Sequence, residues 1–333
     1  MTTAPNPAPV AVIVVNLNGG ELVERTLESL ARQTLAPART IVVDNGSHDG
    51  SPERIAARFP EAEVVRLGYN AGFPAANNLA VARAGDCEWV ALLNPDAFPE
   101  PGWLASLFAV VHAEPQWAAL GSCLLLEGSD GLLDGTGDEY HVSGFAWRRD
   151  HRRPVTEQPR GREEIFAPSA AAALYRRDAF LAAGGLDERY FCYLEDVDLG
   201  FRLRLRGMRC VHVPDAVVHH VGSSTTGRES AFQIYHSQRN LVWTWVKDMP
   251  GPLLWLYLPQ HLLVNALMIA WFVRRGLARA VLRAKLDALR GLPGVLASRK
   301  AVQRERTVST SELRRSMARG LSGYRAGLGR TRS

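Results

Sequence analysis

Residues 191–207, FCYLEDVDLGFRLRLRG, set Glu195, Asp196 and Asp198 within four positions, directly before an apolar, arginine-studded helical pattern. With a helix beginning near Leu194, Glu195 and Asp198 share one side and Asp196 projects about 100° away. An acidic first turn complements the helix dipole, worth roughly 0.3–1 kcal/mol per exposed charge. That accounts for one or two acids, but not for the apolar mass of Phe191, Tyr193 and Leu194 just ahead of them. A carboxylate partly desolvated by aromatics and crowded by like charge has its pKa raised. Such a group can take a proton from a hydroxyl, so the cluster is a candidate general base.

Four other stretches carry chemistry-bearing residues. LLNPDAF places Asn94 and Asp96 around Pro95 after an apolar run. A carboxylate there can bind a divalent cation bridging two phosphates; a plain cap for the helix beginning at Pro101 would sit a few residues later. VVHHVGSST holds His219 and His220 ahead of a glycine and hydroxyls. A lone histidine is more often structural, but imidazole beside carboxylate and phosphate oxygens suits Mn²⁺ or Mg²⁺, Mn²⁺ tolerating nitrogen better. IVVDNGSHDGS ends a strand on Asp44, either a turn cap or an acceptor for a pyrimidine N–H or a ribose hydroxyl. NAGFPAANN, residues 70–78, is either a tight turn or a small-residue loop whose backbone approaches a diphosphate at a helix N-terminus. It is neither G-x-G-x-x-G nor a Walker motif, which disfavours a Rossmann dinucleotide site and a P-loop.

The elements that position these residues alternate strand and helix. Val10–Val15 is a continuous apolar run, as for a strand covered on both faces. Residues 21–33 carry Leu22, Val23, Thr26, Leu27 and Leu30 at helical spacing. TIVVDN, AEVVRL and EWVALLN read as further strands, with a short helix opened by Ser51-Pro52 and helices at 75–84 and 101–111 between and after them. This order predicts a doubly wound, mostly parallel α/β sheet with right-handed crossovers. Ligands of such sheets lie beyond the carboxyl ends of the strands. Asn16 and Asn18, Asp44 and Asn45, and Asn94 and Asp96 are therefore expected to face one crevice. Residues 128–165, rich in Gly, Asp, Arg and Pro, read as a long loop beside it, and MRCVHV as a later short strand.

Charge is distributed unevenly along the 333 residues, whose net balance is +5. From Arg274 onward there are 16 Lys/Arg against Asp287, Glu305 and Glu312; residues 1–273 carry 23 bases and 31 acids. Four cysteines without C-x-x-C or zinc spacing read as reduced thiols. MTTAPNPAPV lacks a basic and then apolar leader pattern, so no signal peptide is expected.

VVNLNG, VVDNGSHDGS, NAGFPAANN, LLNPDAF, YRRDAFLAAGGLDERYFCYLEDVDLGFRLRLRG and HHVGSS, in that order over roughly residues 10–250, resemble family-2 glycosyltransferases of the GT-A fold, in particular the bacterial rhamnosyltransferase branch. The resemblance implies inverting transfer of a sugar from a nucleotide diphosphate to a hydroxyl of a lipid-linked or cell-surface glycan, with dTDP-rhamnose suggested by the branch and UDP- and GDP-sugars left open. By position it implies Asp196 as base with Glu195 beside it and Asp44 as base contact. Asn70, Gly72 and Asn77 then form the nucleotide-diphosphate loop, with Asn16 and Asn94 also on the donor. Asp96 becomes the ligand of a divalent cation, Mn²⁺ or Mg²⁺, with His219, or His220 in the adjacent register. The family's usual D-x-D is Asn94-Pro95-Asp96 here, one anionic ligand fewer. A sugar nucleotidyltransferase is the alternative enzyme, but its basic Gly-rich first loop is missing from NLNGGEL; a non-catalytic nucleotide-sugar binder is opposed by Asp96 and Asp196.

The expected domains are a catalytic unit at 1–245, a helical extension at 246–300, apolar then basic, and a flexible basic tail at 301–333. Leu253–Val273 carries no formal charge and is long enough to span a bilayer, but includes Pro259, Gln260, His261 and Asn265. Trp243, Trp245, Trp255 and Trp271 fall in or just before it, as at membrane interfaces. Nucleotide sugars are cytoplasmic, and one span would export the basic tail against the positive-inside rule. The expectation is an interfacial or re-entrant segment on the cytoplasmic face of the cell membrane, held by anionic lipid. Only Tyr324 is aromatic beyond residue 273, so nucleic-acid binding is not expected.

Overall fold

A computed structural model describes residues 7–158, 160–222 and 230–320. Strands β1 (Ala8–Asn16), β2 (Pro37–Asp44), β3 (Glu63–Arg66) and β4 (Trp89–Leu93) alternate with helices α1 (Gly20–Ala31), α2 (Ser51–Arg58) and α3 (Phe73–Ala82). They pair in parallel in the order β4-β1-β2-β3, so strand order reverses beside β1. β1 shows why the apolar run is continuous. Val10, Val12 and Val14 pack against Val23, Leu27, Leu30 and Ile55 on one face. Ala11, Ile13 and Val15 pack against Ala76 and Ala80 on the other. Burying each Val or Ile contributes about 1.5–3 kcal/mol.

The second half of the sheet is mixed rather than parallel. After β5 (Ala97–Pro99) and α4 (Trp103–Ala113) come β6 (Trp117–Leu126), β7 (Leu133–Gly135), β8 (Asp138–Tyr140), β9 (Ala146–Arg148) and β10 (Glu163–Ile165). β11 (Ala172–Arg176), α5 (Arg177–Ala182), α6 (Glu195–Leu205) and β12 (Arg209–His220) complete this half. β11 inserts antiparallel between β4 and β6, giving β10-β12-β6-β11-β4-β1-β2-β3. β8 and β9 form a separate hairpin. The span expected as a long loop thus holds four strands of three residues, too short for any periodic signal.

The chain continues through α7 (Ala231–Asp248), α8 (Gly251–Arg274), α9 (Ala278–Arg290), α10 (Leu292–Arg304) and α11 (Thr310–Ser316). α9 faces the body with Val281, Ala284 and Ala288, one helical stripe. Of the span expected as a flexible tail, residues 301–304 finish α10, Leu313 and Met317 join a core cluster, and Ala318 exchanges backbone bonds with Tyr140 and Val142. α8 lies along the body on His261, Val264 and Asn265 and exposes Trp255, Leu262, Leu263, Leu267 and Trp271. Its seat is the tip of the β8–β9 hairpin. His261 Nδ1 lies 2.7 Å from the Ser143 carbonyl oxygen, and its ring stacks on Trp245 at 3.9 Å.

Candidate functional site

A cavity of about 840 Å³ opens at the carboxyl ends of β1, β2 and β4, within the size range of ligand pockets. Asn45, Asn70 and Gly72 line one part of it, Asn94, Asp96 and His220 another, and Glu195 and Asp196 a third. Asp96 and Asp196, a hundred residues apart in sequence, therefore meet in one space.

On one side of the cavity, Asn45 Nδ2 donates to Asn70 Oδ1 at 2.9 Å, and Ala71 N–H donates to Asn45 Oδ1 at 2.8 Å. The pair ties the end of β2 to the loop before α3. Gly72 has φ +87°, and a Cβ there would lie 2.7 Å from the Phe191 carbonyl oxygen. Glycine is required because this loop presses on the segment that carries the acids, where Phe73 N–H donates to that same oxygen at 2.8 Å.

Three of the expected contacts also make hydrogen bonds inside the protein. Asn16 is buried, donates to Ser51 Oγ at 2.8 Å and Ser47 Oγ at 3.2 Å, and accepts from Gly19 N–H. Asp44 is 5% exposed and accepts from Ser47 N–H, while its neighbour Asn45 lines the cavity. Asn77 is buried and donates to Phe73 O one turn back.

At the end of β4, Asp96 Oδ1 lies 3.3 Å from His220 Nε2, and Asn94 Nδ2 lies 3.3 Å from the same nitrogen. Asp134 Oδ2 holds His220 Nδ1 at 2.7 Å. A carboxylate on one ring nitrogen fixes the tautomer and aims the other, the arrangement typical of a metal-binding histidine. Burial opposes charge on His220, but hydrogen bonds to Asp134 and Asp96 outweigh it and raise its pKa to about 9. His219 points elsewhere: Nε2 is 3.1 Å from Glu100 Oε1 and Nδ1 is 3.6 Å from Glu127 Oε2, at the surface. The structure thus puts His220, rather than His219, beside Asp96. A cation here would have one carboxylate, one imidazole and one amide from the protein, a set that fits a divalent ion completed by donor phosphates. No group of three His, Cys, Asp or Glu side chains poised for a metal occurs among the described residues.

The acidic motif begins on strained backbone. Phe191, Tyr193 and Leu194 have φ of +65°, +69° and +66°, each costing on the order of 1–2 kcal/mol for a residue other than glycine. Such strain persists at sites that use it. It delivers Glu195 and Asp196 into the cavity at the first turn of α6. Asp196 Oδ2 accepts from Ala170 N–H at 3.0 Å and Oδ1 from Val197 N–H at 2.8 Å. Burial, reinforced by the charge of Asp196, pushes the Glu195 carboxyl well above the usual range. Asp198 turns away into the interior. It pairs with Arg202 at 2.7 Å and with Lys247, and accepts from Tyr190 OH at 3.0 Å. Burial would raise its pKa, but Arg202 and Lys247 hold it below the usual value. The third acid of the motif anchors the helix that presents the other two.

Sequence patterns did not single out Asp134, Asp138, Trp147, Arg148 and His151, all in the cavity wall and all from 128–165. Burial opposes the charge of Asp134, but Arg148, His151 and His220 draw its pKa well down. The only signal available was the density of charged residues in that span.

Residues 7–241 match the protein family described as Glycosyltransferase like family 2. The N-acetylglucosaminyl-diphospho-decaprenol L-rhamnosyltransferase of Mycobacterium tuberculosis is 34% identical over 242 residues, covering 66% of this chain and 78% of the relative. Among solved structures, S. aureus TarS 1–349 in complex with UDP-GlcNAc is 17% identical with a TM-score of 0.56, covering 96% of this chain and 92% of that one. The mannosyltransferase PcManGT from Pyrobaculum calidifontis, in complex with GDP-Man and Mn²⁺, is 19% identical with a TM-score of 0.51, covering 92% and 86%. These two share the fold.

Proposed function

The chain belongs to glycosyltransferase-like family 2, and we propose that it transfers a sugar, rhamnose in the first instance, from a nucleotide diphosphate to a hydroxyl of a lipid-linked glycan with inversion. The observation that carries this reading is the presence of Asp96 and Asp196 in one cavity, with His220 beside the first. The rhamnosyltransferase relative supports the donor sugar and a polyprenyl-linked acceptor.

In this reading the nucleotide lies along Asn45, Asn70 and Gly72, and its diphosphate reaches Asn94, Asp96 and His220. Asp96 and His220 would hold a divalent cation, which when bound would supply positive charge against the two phosphates. The PcManGT complex with Mn²⁺ supports the choice of ion. Asp196 takes the proton of the acceptor hydroxyl as that oxygen attacks the anomeric carbon from the face opposite the diphosphate. The Ala170 and Val197 N–H groups fix the carboxylate's direction, so no reorganisation is needed when the proton moves. Burial and the charge of Asp196 raise the pKa of Glu195, which opposes a second full charge beside the base.

The enzyme works at the cytoplasmic face of the membrane, lying on it or re-entrant rather than spanning it. The exposed apolar face of α8 and Leu282, Leu286 and Leu289 of α9 enter the headgroup boundary, and Arg274, Arg275, Arg279, Arg283 and Arg290 meet anionic lipid. The test is product formation across UDP-, GDP- and dTDP-sugars with a short polyprenyl-diphosphate glycan as acceptor, with and without Mn²⁺. Transfer from dTDP-rhamnose giving the inverted linkage is expected; a retained linkage, or turnover with none of the donors, would overturn the reading.

A further inference from the structure

The β8–β9 hairpin contributes a wall of the cavity, and two carboxyls in and beside that wall have hydrogen-bonding capacity left open among the described residues. Asp138 lines the cavity at 9% exposure, and among the described residues no hydrogen bond reaches its carboxylate. Glu195 is 6% exposed, and its buried Oε2 has no hydrogen-bond partner among the described residues. Both stand in the neighbourhood of Asp196. Asp138 and Ala167 exchange backbone bonds of 2.8 and 3.3 Å, and three residues on, Ala170 N–H donates to Asp196. The charge of Asp196 is felt at both carboxyls.

A buried polar atom left without a partner costs about 1–3 kcal/mol, and native proteins keep few of them. Glu195 Oε2 is such an atom, and with the Asp138 carboxyl lining the same cavity it calls for a ligand that brings its own hydroxyls. Crowded carboxyls retain protons, so together they donate as well as accept, which suits a polyol. The same hairpin adds an apolar surface: Trp147 lines the cavity, its ring stacked on Phe145 at a centroid distance of 5.6 Å. A flat aromatic beside paired carboxyls matches the C–H face and the hydroxyl edge of a pyranose ring.

We propose that Asp138, Glu195 and Trp147 form the subsite for the acceptor's sugar ring, with Asp138 as a specificity-determining residue that binds a hydroxyl adjacent to the one attacked. This rests on the transferase reading and extends it to the acceptor. The ligand class is a neutral, hydroxyl-rich pyranoside carrying an apolar aglycone. The aglycone has a path, because the hairpin tip is seated on α8. Gly144, φ +88°, packs against Trp245 and His261 so closely that a Cβ would lie 2.8 Å from Trp245 Cδ1. The strand that meets the sugar and the helix that exposes its apolar face are thus joined through one contact.

Steady-state kinetics with octyl pyranosides (glucoside, N-acetylglucosaminide and rhamnoside) test the proposal, alongside calorimetric binding of the same pyranosides and of the nucleoside diphosphate. Asp138→Ala and Trp147→Ala are expected to raise the KM and Kd of the preferred pyranoside about tenfold, the loss of one good contact. Asp138→Asn, which can still donate and accept, keeps most of the affinity. Donor KM, donor hydrolysis without acceptor and nucleoside diphosphate Kd stay within about twofold in all three. Unchanged pyranoside constants in both alanine variants, or a shift in the donor constants instead, would overturn the subsite. If Asp138→Ala does not fold, Trp147→Ala, on a partly exposed strand, decides alone. Wild-type protein that binds the pyranoside in an Asp138-dependent manner but transfers nothing contradicts the transferase reading and leaves the subsite standing.

Discussion

His220 Nε2 lies 3.3 Å from Asp96 Oδ1, whereas His219, one residue earlier on β12, faces Glu100 and Glu127 at the surface. Adjacent strand residues point to opposite sides, so only one of the pair can meet the cavity. His220→Ala should lower kcat/KM for transfer roughly 10–100-fold and weaken Mn²⁺ binding in the presence of nucleoside diphosphate. His219→Ala should stay within about twofold. Calorimetry of Mn²⁺ on both variants checks this, and equal losses would mean the register is wrong.

Removal of divalent ions addresses the one-carboxylate donor set. In the proposed site, where Asp96 would be the anionic ligand beside His220, Mn²⁺ alone should bind weakly and nucleoside diphosphate should tighten it at least about tenfold. Titration of Mn²⁺ with and without the nucleotide measures the coupling, and the two curves coinciding would rule out a shared site.

Gly72→Ala forces a Cβ toward the Phe191 carbonyl oxygen at a φ of +87°. The expected loss is about 1–3 kcal/mol of stability, with a raised donor KM, because this loop and the approach to Glu195 are pressed together. Denaturant unfolding gives the first quantity and initial rates the second; a neutral result on both would show that the loop relaxes freely.

Glu195 carries a stability signature with a definite sign. Burial and Asp196 raise its pKa in the folded state, so the folded protein binds a proton that the unfolded chain releases. Stability is therefore unaffected below the unfolded value and declines as pH rises above it. Glu195→Gln removes that decline. Its melting temperature should match the wild type near pH 4 and exceed it increasingly toward pH 8, at roughly 2–4 °C per kcal/mol for a chain of this size. A pH-independent difference would mean Glu195 ionises normally.

How much of this was legible in the sequence depends on the length of each element. The convergence of the ends of β1, β2 and β4, and with it the crevice at Asn94 and Asp96, follows from strands of five residues or more that end in apolar runs. Asp134, Asp138 and Arg148 sit on three-residue strands, where neither alternation nor propensity accumulates a signal. The choice between His219 and His220 turned on a register shift between Val213 and Val217, around Pro214, which resets the phase of β12. Asn16 and Asn77 bond to a neighbouring side chain and to backbone, a use of the asparagine amide that the local turn decides and that residue type alone does not reveal. The mixed second half of the sheet, with β11 antiparallel, depends on pairing across the chain rather than on any local pattern.

The exposed faces of α8 and α9 give a membrane prediction. Replacing Leu262, Leu263 and Leu267 with serine should abolish flotation with phosphatidylglycerol vesicles while leaving turnover of a soluble octyl acceptor within about twofold, since these side chains point away from the body. Wild-type binding should fall when salt is raised to about 1 M, where the Debye length is near 3 Å. Extraction only by detergent would instead indicate insertion across the bilayer.

The most direct measurement concerns Asp196, held by Ala170 N–H and facing the same cavity as Asp96. Asp196→Asn keeps shape and polarity but cannot accept a proton. Single-turnover transfer should drop by about 10²–10⁴-fold, the usual contribution of a positioned base, while nucleoside diphosphate Kd measured by calorimetry stays unchanged. A variant that transfers sugar at a rate near the wild type would contradict the account and move the base to another residue.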